Sequence, residues 1–280
     1  MNLAPILLLC TATILWRCDS ESADSTPDTA ADSGTDVHTP ADVDTTENDG
    51  EPDAAEPESI EIKGYAFAFA GLGQPVVNAT IRIAEWPDLV VQTAEDGTYS
   101  LQIPNSGTFT PYAEHENYKT MYLQTFTASG SDLHNVNFQM IEPFIYDLMA
   151  MAVGTTPDPA TCQIATTVNT IDIRDMTLDE FKNYGPHGVE GAVVWSEPAV
   201  DTTVYFNASV VPEPSLTETS GDGGVVWPNV PPGVYTFGAN HPEKPFASFV
   251  ATCEAGRFIN AGPPWGIREL APSEASDTNP

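Results

Sequence analysis

The sequence predicts an all-β fold: two tandem seven-stranded antiparallel sandwiches with short helices, preceded by a disordered acidic linker. From residue 59 onward, short runs alternate apolar and polar residues with a period of two, as in strands with one buried face. The 280 residues include 25 Pro and 20 Gly, which favour turns over long helices. Part of the second half also repeats part of the first, so we expect two related β domains.

The net charge of -31 arises from 40 Asp and Glu against 9 Lys and Arg. Such a chain offers no basic surface to phosphates, so we expect no nucleic-acid partner and no electrostatic docking on anionic lipid. The charge is uneven, because residues 19–59 carry 14 acids and no Lys or Arg, whereas residues 60–280 carry 26 acids and 8 bases. This division separates a linker from a folded region.

Residues 1–18 contain an apolar run of about 14 residues, too short for a membrane-spanning helix of roughly 20 but suited to an export signal. Cys18 has an aliphatic residue three positions before it and acidic residues after it. This resembles a bacterial lipoprotein signal, except that Arg17 replaces a small residue. The resemblance implies export, lipidation at Cys18 and a membrane anchor at the outer membrane or cell surface. A secreted or periplasmic protein with an ordinary cleavage site is the alternative.

Residues 19–59 contain no aromatic residue, no Leu and no Ile. They cannot bury enough apolar surface to offset a chain entropy of about 1 kcal/mol or more per residue. We expect a disordered linker that repulsion between its carboxylates keeps extended. No window has the ligand spacing of an EF-hand, so we interpret the stretch as a tether.

Several strands follow the linker. One is predicted to bury Val77, Ala79, Ile81 and Ile83, and another Tyr99, Leu101 and Ile103. Asp96-Gly97 between them predicts a hairpin turn, because Gly adopts positive φ readily and Asp bonds its own backbone. Further strands are expected near residues 65–69, 109–113, 122–126 and 136–140.

A segment of 23 residues recurs at a constant displacement of 126. The identical pairs are Thr93 and Thr219, Asp96 and Asp222, Gly97 and Gly223, Gly107 and Gly233, Thr110 and Thr236, Ala113 and Ala239, and His115 and His241. The repeat predicts one β domain over 60–142 and another over 160–268. A helical connector, 143–159, would join them, and a disordered tail, 269–280, would follow.

Turn motifs are shared by the two copies. The first contains Gln74-Pro75-Val76-Val77-Asn78-Ala79 and Asp96-Gly97, and the second Gly191-Ala192-Val193, Asp222-Gly223 and Pro232-Gly233-Val234-Tyr235. These motifs resemble carboxypeptidase regulatory-like domains, which implies the transthyretin-like or prealbumin-like, Ig-like sandwich. The motifs consist mostly of residues that favour turns, so they specify the fold better than the function. The second copy departs from the pattern through an insert, 197–217.

Two short helices are predicted as packing elements. Pro143 favours a helix start and Gly154 an end, with an apolar face formed by Phe144, Ile145, Leu148, Met149 and Ala152. Thr177 and Glu180 have the spacing of a capping box for the second helix.

Cys162 and Cys253 are the only cysteines after the signal region, and each lies in a strand-like context. In an oxidising compartment they are expected to form a disulfide. A nucleophilic or metal-bound Cys is the alternative, but neither has a second thiol or His at ligand spacing.

The sequence contains no nucleophile elbow, His-Glu-x-x-His, phosphate loop or dinucleotide fingerprint. We predict no enzyme activity, no catalytic residue, no metal site and no cofactor. His115 and His241 share a position through the repeat. Segments 191–195 and 232–235 are similar to intradiol ring-cleaving dioxygenases, which would imply iron ligands at Tyr205, Tyr235 and two His, but here only His241 is present.

The prediction is therefore a non-enzymatic, exported cell-envelope protein on an acidic tether, with a binding, adhesion or structural role. Its partner would be a cell-surface protein or glycan. Starch-binding-like modules share the implied sandwich, so a carbohydrate-binding module is one alternative, with Trp195, Trp227 and Trp265 as candidate stacking residues. A degenerate relative of the intradiol dioxygenases is the other.

Overall fold

The structure is a computed structural model that describes residues 58–70, 73–185 and 187–275. The signal, Cys18 and nearly all of the acidic linker lie outside these residues, as does the end of the tail. Predictions about lipidation and the tether therefore stay predictions. The described residues all belong to one unit.

Nineteen strands and a few short helices make up the described residues, which confirms the all-β fold. The first half contains β1 (Ser59–Ala68), β2 (Thr80–Ile83), β3 (Trp86–Gln92), β4 (Thr98–Pro104), β5 (Thr108–Phe109), β6 (Pro111–Glu114), β7 (Met121–Tyr122), β8 (Phe126–Thr127) and β9 (Phe138–Met140). The second half contains β10 (Cys162–Thr167), β11 (Val193–Glu197), β12 (Val204–Phe206), β13 (Pro212–Glu213), β14 (Gly224–Val230), β15 (Gly233–Asn240), β16 (Phe246–Ala247), β17 (Phe249–Cys253), β18 (Phe258–Asn260) and β19 (Arg268–Glu269). The helices are α1 (Pro143–Val153), a 3-10 turn (Ile171–Ile173), α2 (Leu178–Tyr184) and α3 (Pro272–Ala275).

The first half is a sandwich of the sheet β4-β1-β9 and the strands β3-β2-β6-β7. Its core includes Ile62, Ile81 and Phe138, none of which is exposed. Of the predicted inward residues of β4, Tyr99 and Ile103 are buried, and Leu101 is half-buried against the same core. The prediction was wrong at Val77, which is 36% exposed. Asn78 has φ 60° and breaks the alternation there, so that Val76 is buried instead.

The second half repeats this arrangement with the strands β14-β10-β18 facing the sheet β11-β15-β17. Its separate core contains Ile164, Trp227 and Phe237. In both halves a late strand runs parallel to the first, as β9 beside β1 and as β18 beside β10. The insert 197–217 forms β12 and β13, which extend the sheet beyond β14.

One sheet runs through both halves. Its nine strands have the order β13-β12-β14-β10-β18-β7-β6-β2-β3, and the halves meet where Tyr122 of β7 pairs with Ile259 of β18. The backbone N–H of Thr125 also donates to the Val250 carbonyl at 2.8 Å. The two halves are therefore continuous in their backbone hydrogen bonding.

The predicted turns and helices are confirmed locally. Gly97 has φ 81°, and the Asp96 side chain accepts from the backbone N–H of Thr98 at 3.0 Å. Thr177 and Glu180 form the capping box of α2. Helix α1 begins at Pro143, and Gly154, with φ 79°, ends it.

The predicted apolar face of α1 is divided in the structure. Ile145 and Met149 pack against the first core, but Phe144 and Leu148 are 74% and 48% exposed. The ring of Tyr146 packs edge-on against Phe258 of β18, with ring centroids 5.2 Å apart. This contact orients the helix with Phe144 and Leu148 outward.

Candidate functional site

The three candidate tryptophans have different surroundings. Trp227 is 1% exposed in the second core, where its ring centroid lies 4.4 Å from that of Phe237. No ring face is free for a sugar, so its assignment as a stacking residue was wrong. Large aromatic side chains usually serve burial in this way.

Trp265 and Trp195 lie elsewhere. Trp265 packs edge-on against Phe126, at 5.1 Å, and carries the Arg268 guanidinium 4.9 Å from its ring centre. Trp195 is 39% exposed and pairs with Gly238 across β11 and β15. A side chain at Gly238 would collide with the indole, so the ring lies over the glycine. Trp195 alone of the three retains a substantially exposed ring.

Cys162 and Cys253 are joined by a disulfide, as predicted, across a sequence separation of 91. Cys162 begins β10 and Cys253 ends β17, so the bond links the two facing sheets of the second half. Both residues are buried, with exposures of 0% and 2%. The pair therefore acts as a covalent part of the core.

The histidines related by the repeat are held alike. His115 Nδ1 accepts from the backbone N–H of Asn117 at 3.2 Å, and His241 Nδ1 accepts from that of Glu243 at 3.1 Å. The ring nitrogen thus closes the same local turn in each copy. Within the described residues, no group of three or more His, Cys, Asp or Glu side chains is placed to hold a metal ion.

The two tyrosines that the resemblance to dioxygenases would make iron ligands, Tyr205 and Tyr235, are engaged in local hydrogen bonds. The hydroxyl of Tyr205 accepts from the backbone N–H of Val194 at 3.2 Å. The hydroxyl of Tyr235 donates to the Pro231 carbonyl at 3.0 Å. Each hydroxyl therefore stabilises its own neighbouring strand or turn.

A partly enclosed cavity of about 150 Å³ lies between α1 and the shared sheet. Helix α1 spans it with no fully buried residue of its own. Near the end of the helix, the Asn229 side chain donates to the Thr155 hydroxyl and to the Thr156 carbonyl, both at 3.1 Å. Near its start, Tyr146 packs on Phe258. Contacts near both ends thus hold the helix across the cavity.

The cavity wall is mostly apolar. Helix α1 supplies Tyr146, Met149, Ala150 and Val153. The insert supplies Phe206, Val210 and Pro212, which gives a structural role to a segment that the sequence left unexplained. The sheet adds apolar side chains such as Val226 and Phe258. The sheet and its adjoining loops also supply a smaller polar set that includes Gln163, Thr167, His187, Asp222 and Asn260.

His187 and Asp222 are the unusual members of the polar set. Burial lowers the pKa of His187 to about 4, and a contribution from its own backbone only partly offsets this effect. The buried Nδ1 atom makes no hydrogen bond to any part of the chain that the structure describes. Burial also raises the pKa of Asp222, despite a hydrogen bond from the Gly224 N–H at 3.1 Å. The protein therefore holds a neutral imidazole and a destabilised carboxylate beside an apolar space.

Sequence reasoning missed this site. The sequence indicates Asp222 only as a turn residue and indicates no role for His187. The apolar character of α1 and the long insert were visible signals, but neither shows that they lie on the same sheet face. Their meeting depends on the pairing of β12 with β14 and on the position of the connector.

No family model and no curated protein matches the chain. Among solved structures, it is similar to the TIE protein of Bacillus anthracis, at 15% identity and a TM-score of 0.24, over 76% of this chain and 34% of that chain. It is also similar to the minor pilin GBS52 of Streptococcus agalactiae, at 9% identity and a TM-score of 0.25, over 76% of this chain and 97% of that chain. A third similar structure is the shaft pilin SpaA of Lactobacillus rhamnosus GG. It is 10% identical, has a TM-score of 0.23, and matches over 77% of this chain and 99% of that chain.

The chain spans about a third of the length of the TIE protein. At these TM-scores the likeness supports no inference about function. The resemblance to carboxypeptidase regulatory-like domains stays a prediction. Among the described residues, no helix has the length and apolarity needed to cross a membrane.

Proposed function

We propose that this chain is an exported, non-enzymatic structural or binding protein of the cell envelope, which carries its β region on the acidic linker. The observation that supports this most is the buried disulfide between Cys162 and Cys253. Such bonds persist in oxidising compartments outside the cytosol. The apolar segment in residues 1–18 gives the matching export signal.

The contacts between the two halves suit a rigid structural protein, which transmits force, or a binding protein, which presents a surface. Across the junction, the Thr125 and Thr252 hydroxyls lie 2.7 Å apart, and the Gly266 N–H donates to the Gln124 side chain at 2.8 Å. The Arg257 guanidinium lies 4.5 Å from the centre of the Tyr122 ring. A hinge between independent domains would lack such a network.

Localisation in an expressing bacterium tests export. We expect external protease to remove the β region from intact cells, and both cysteines of the disulfide to resist alkylation until reduced. Protection in intact cells together with two freely alkylated thiols would reject the proposal.

The anchor is tested separately by palmitate labelling. Label and membrane retention should be lost in Cys18→Ser and kept in Cys10→Ser, a matched substitution within the same signal. Unchanged retention in Cys18→Ser would leave an exported protein without this anchor.

A carbohydrate-binding role is a second candidate, favoured by the exposed indole of Trp195 over Gly238. Flat aromatic rings offer a large, rigid contact area to a ligand. On a glycan array, Trp195→Ala should remove binding that Val90→Ala, a change of another exposed apolar side chain, retains. Equal binding by the two variants would exclude this surface.

A further inference from the structure

The sheet β11-β15-β17 carries an aromatic side chain on the face that points away from the second core. Three adjacent indole atoms of Trp195, Cζ2, Cε2 and Cη2, lie within 3.0 Å of the position that a Cβ on Gly238 would take. The indole therefore covers Gly238, which is buried, while Trp195 itself stays 39% exposed. One side of the ring rests on the strand and the other remains open to a ligand.

The first half of the chain has a different pair at the corresponding position. The repeat relates Gly238 to Tyr112, and the strand partner of Tyr112 is Arg82. The ring of Tyr112 stacks on that of Tyr122, with centroids 4.9 Å apart, and Arg82 forms an ion pair with a neighbouring carboxylate at 3.3 Å. The open indole is therefore a feature of the second copy alone, which duplication does not account for.

Hydrogen-bonding side chains flank the indole at both ends. Glu197 pairs with Thr236, and Val193 pairs with Asn240. Each pair lies two residues from Trp195 along the strands, about 7 Å away and on the same face of the sheet. Glu197 and Asn240 are exposed and Thr236 is half-buried. Within the described residues, the side chains of these three make no hydrogen bond or ion pair. We call Trp195 with these three residues the Trp195 surface.

An open depression continues the Trp195 surface at one end. Its volume is about 650 Å³, and Val193, Asn240, Glu218 and His241 are among the residues that line it. This volume is within the range of small-molecule sites. Because Val193 and Asn240 belong to both features, a ligand that lies on the indole can extend into the depression.

Shape favours one kind of ligand for this surface. A pyranose ring with equatorial substituents presents flat C–H faces, which suit an aromatic ring, and its hydroxyl groups radiate in the plane of the ring. Such hydroxyls would meet Glu197 and Thr236 at one end of the indole and Asn240 at the other. A β-1,4-linked chain of these rings is a flat ribbon that can follow the sheet, whereas an α-1,4-linked chain curls away from it.

Charge restricts the ligand further. The Trp195 surface includes no Lys or Arg, and the carboxylate of Glu197 has no counter-ion within the described residues. A second carboxylate, that of Glu218, lines the adjoining depression. An anionic sugar would be repelled here, because like charges brought together at a binding surface cost free energy. A neutral sugar can instead donate its hydroxyls to the carboxylate.

We propose that the Trp195 surface binds a neutral β-1,4-linked glycan of glucose type, with one ring stacked on Trp195. Glu197, Thr236 and Asn240 hydrogen bond to its hydroxyl groups. The inference rests on the carbohydrate-binding candidate above and names its ligand class. It does not depend on export or on the lipid anchor.

Calorimetric titration of the full chain with three tetrasaccharides tests the ligand class. We expect cellotetraose to bind about tenfold more tightly than maltotetraose, because only the flat chain keeps its contacts beyond the stacked ring. The β-1,4-linked glucuronate tetramer, which has the same linkage but carries carboxylates, should bind more weakly than cellotetraose. Equal affinities for cellotetraose and maltotetraose, or tighter binding of the glucuronate tetramer, would overturn the proposal.

Substitutions of Trp195 locate the stacked ring. Trp195→Ala should weaken cellotetraose binding by about tenfold or more, as for a central aromatic contact, whereas Val90→Ala should leave it unchanged. Trp195→Tyr keeps a smaller ring, so it should retain part of the affinity and lose the change in indole fluorescence that cellotetraose causes. Near-ultraviolet circular dichroism checks the folding of each variant. Unchanged affinity in a folded Trp195→Ala protein would overturn the proposal.

A substitution of Glu197 tests the role of charge. Glu197→Gln keeps the size of the side chain and should raise the affinity for the glucuronate tetramer severalfold. Glu95→Gln removes the same charge from an exposed turn of the first half and should have no such effect. An equal response of the two variants would contradict the role of Glu197.

The glycan array separates this inference from the broader candidate. Binding of other glycans that depends on Trp195, with none of cellotetraose, would overturn the inference and keep a carbohydrate-binding role. Absence of binding to any glycan would reject both.

Discussion

Thr93 and Thr219 show how single residues support each half. The Thr93 hydroxyl donates to the Val76 carbonyl at 2.6 Å and accepts from the Ala79 N–H at 2.9 Å. Thr219 forms the same pair of bonds, to the Val189 carbonyl at 2.5 Å and from the Ala192 N–H at 2.8 Å. Each hydroxyl thus satisfies two further backbone groups, beside the backbone hydrogen bond that the threonine N–H itself donates to the Ala79 or Ala192 carbonyl.

Replacing either buried threonine should destabilise the fold. Thr93→Val and Thr219→Val keep the shape of the side chain but leave buried backbone groups unpaired, which costs about 1–3 kcal/mol of unfolding free energy. Urea unfolding measures the change. Thr127→Val, at an exposed strand position, should change stability by less than about 0.5 kcal/mol. A loss no larger than that of the control would show that water replaces the bonds.

His187 should make the fold sensitive to mild acid. Its pKa is about 4 when folded and near 6.5 when unfolded, so the unfolded chain binds the proton more readily. Stability should therefore fall as the pH drops from about 6.5 to 4, by up to about 3 kcal/mol from this residue. His187→Gln should show a flatter thermal-melting profile over that range. Parallel profiles for the two proteins would contradict the prediction.

At the scale of elements, helix α1 illustrates both the reach and the limit of sequence patterns. Pro143 and Gly154 set its ends through local backbone chemistry, and those ends are confirmed. Its exposed face was not predictable, because an almost wholly apolar helix has no unique inward side. The position of Phe258 under Tyr146 decides the orientation.

The disulfide stabilises the second sandwich by joining its two sheets. Cys162→Ala with Cys253→Ala should lower the unfolding free energy by about 2–5 kcal/mol, because a bond across 91 residues restricts the unfolded chain. Denaturant unfolding of this variant against the unmodified chain measures the effect. Reduction of the unmodified protein is the control and should reproduce the loss. No change in either experiment would show that the core alone holds the sheets together.

For the whole molecule, the shared sheet predicts cooperative unfolding of both halves. Calorimetry should show one transition, whose van't Hoff and calorimetric enthalpies agree. Gln124→Ala removes the buried partner of the Gly266 N–H and should lower the melting temperature or split the transition. Gln102→Ala, on an exposed part of β4, is the matched control and should do neither. Two separate transitions in the unmodified protein would mean that the halves fold independently.

The sequence by itself determined the features that depend on neighbouring residues. Period-two alternation identified the strands, Asp-Gly pairs the turns, and Thr177 with Glu180 the start of α2. The strand context of the two cysteines and the oxidising compartment expected from the export signal were enough to expect their bond. Each of these follows from backbone geometry or side-chain chemistry within a few residues.

Only the tertiary structure decided which surfaces meet. The pairing of Tyr122 with Ile259, the burial of Trp227 and the placement of His187 beside the insert join positions far apart in the chain. Strand pairing between distant segments has no local signature, because the same alternating pattern fits many partners. The all-β class could therefore be predicted from the sequence, whereas the shared sheet and the cavity beneath α1 arise from long-range packing.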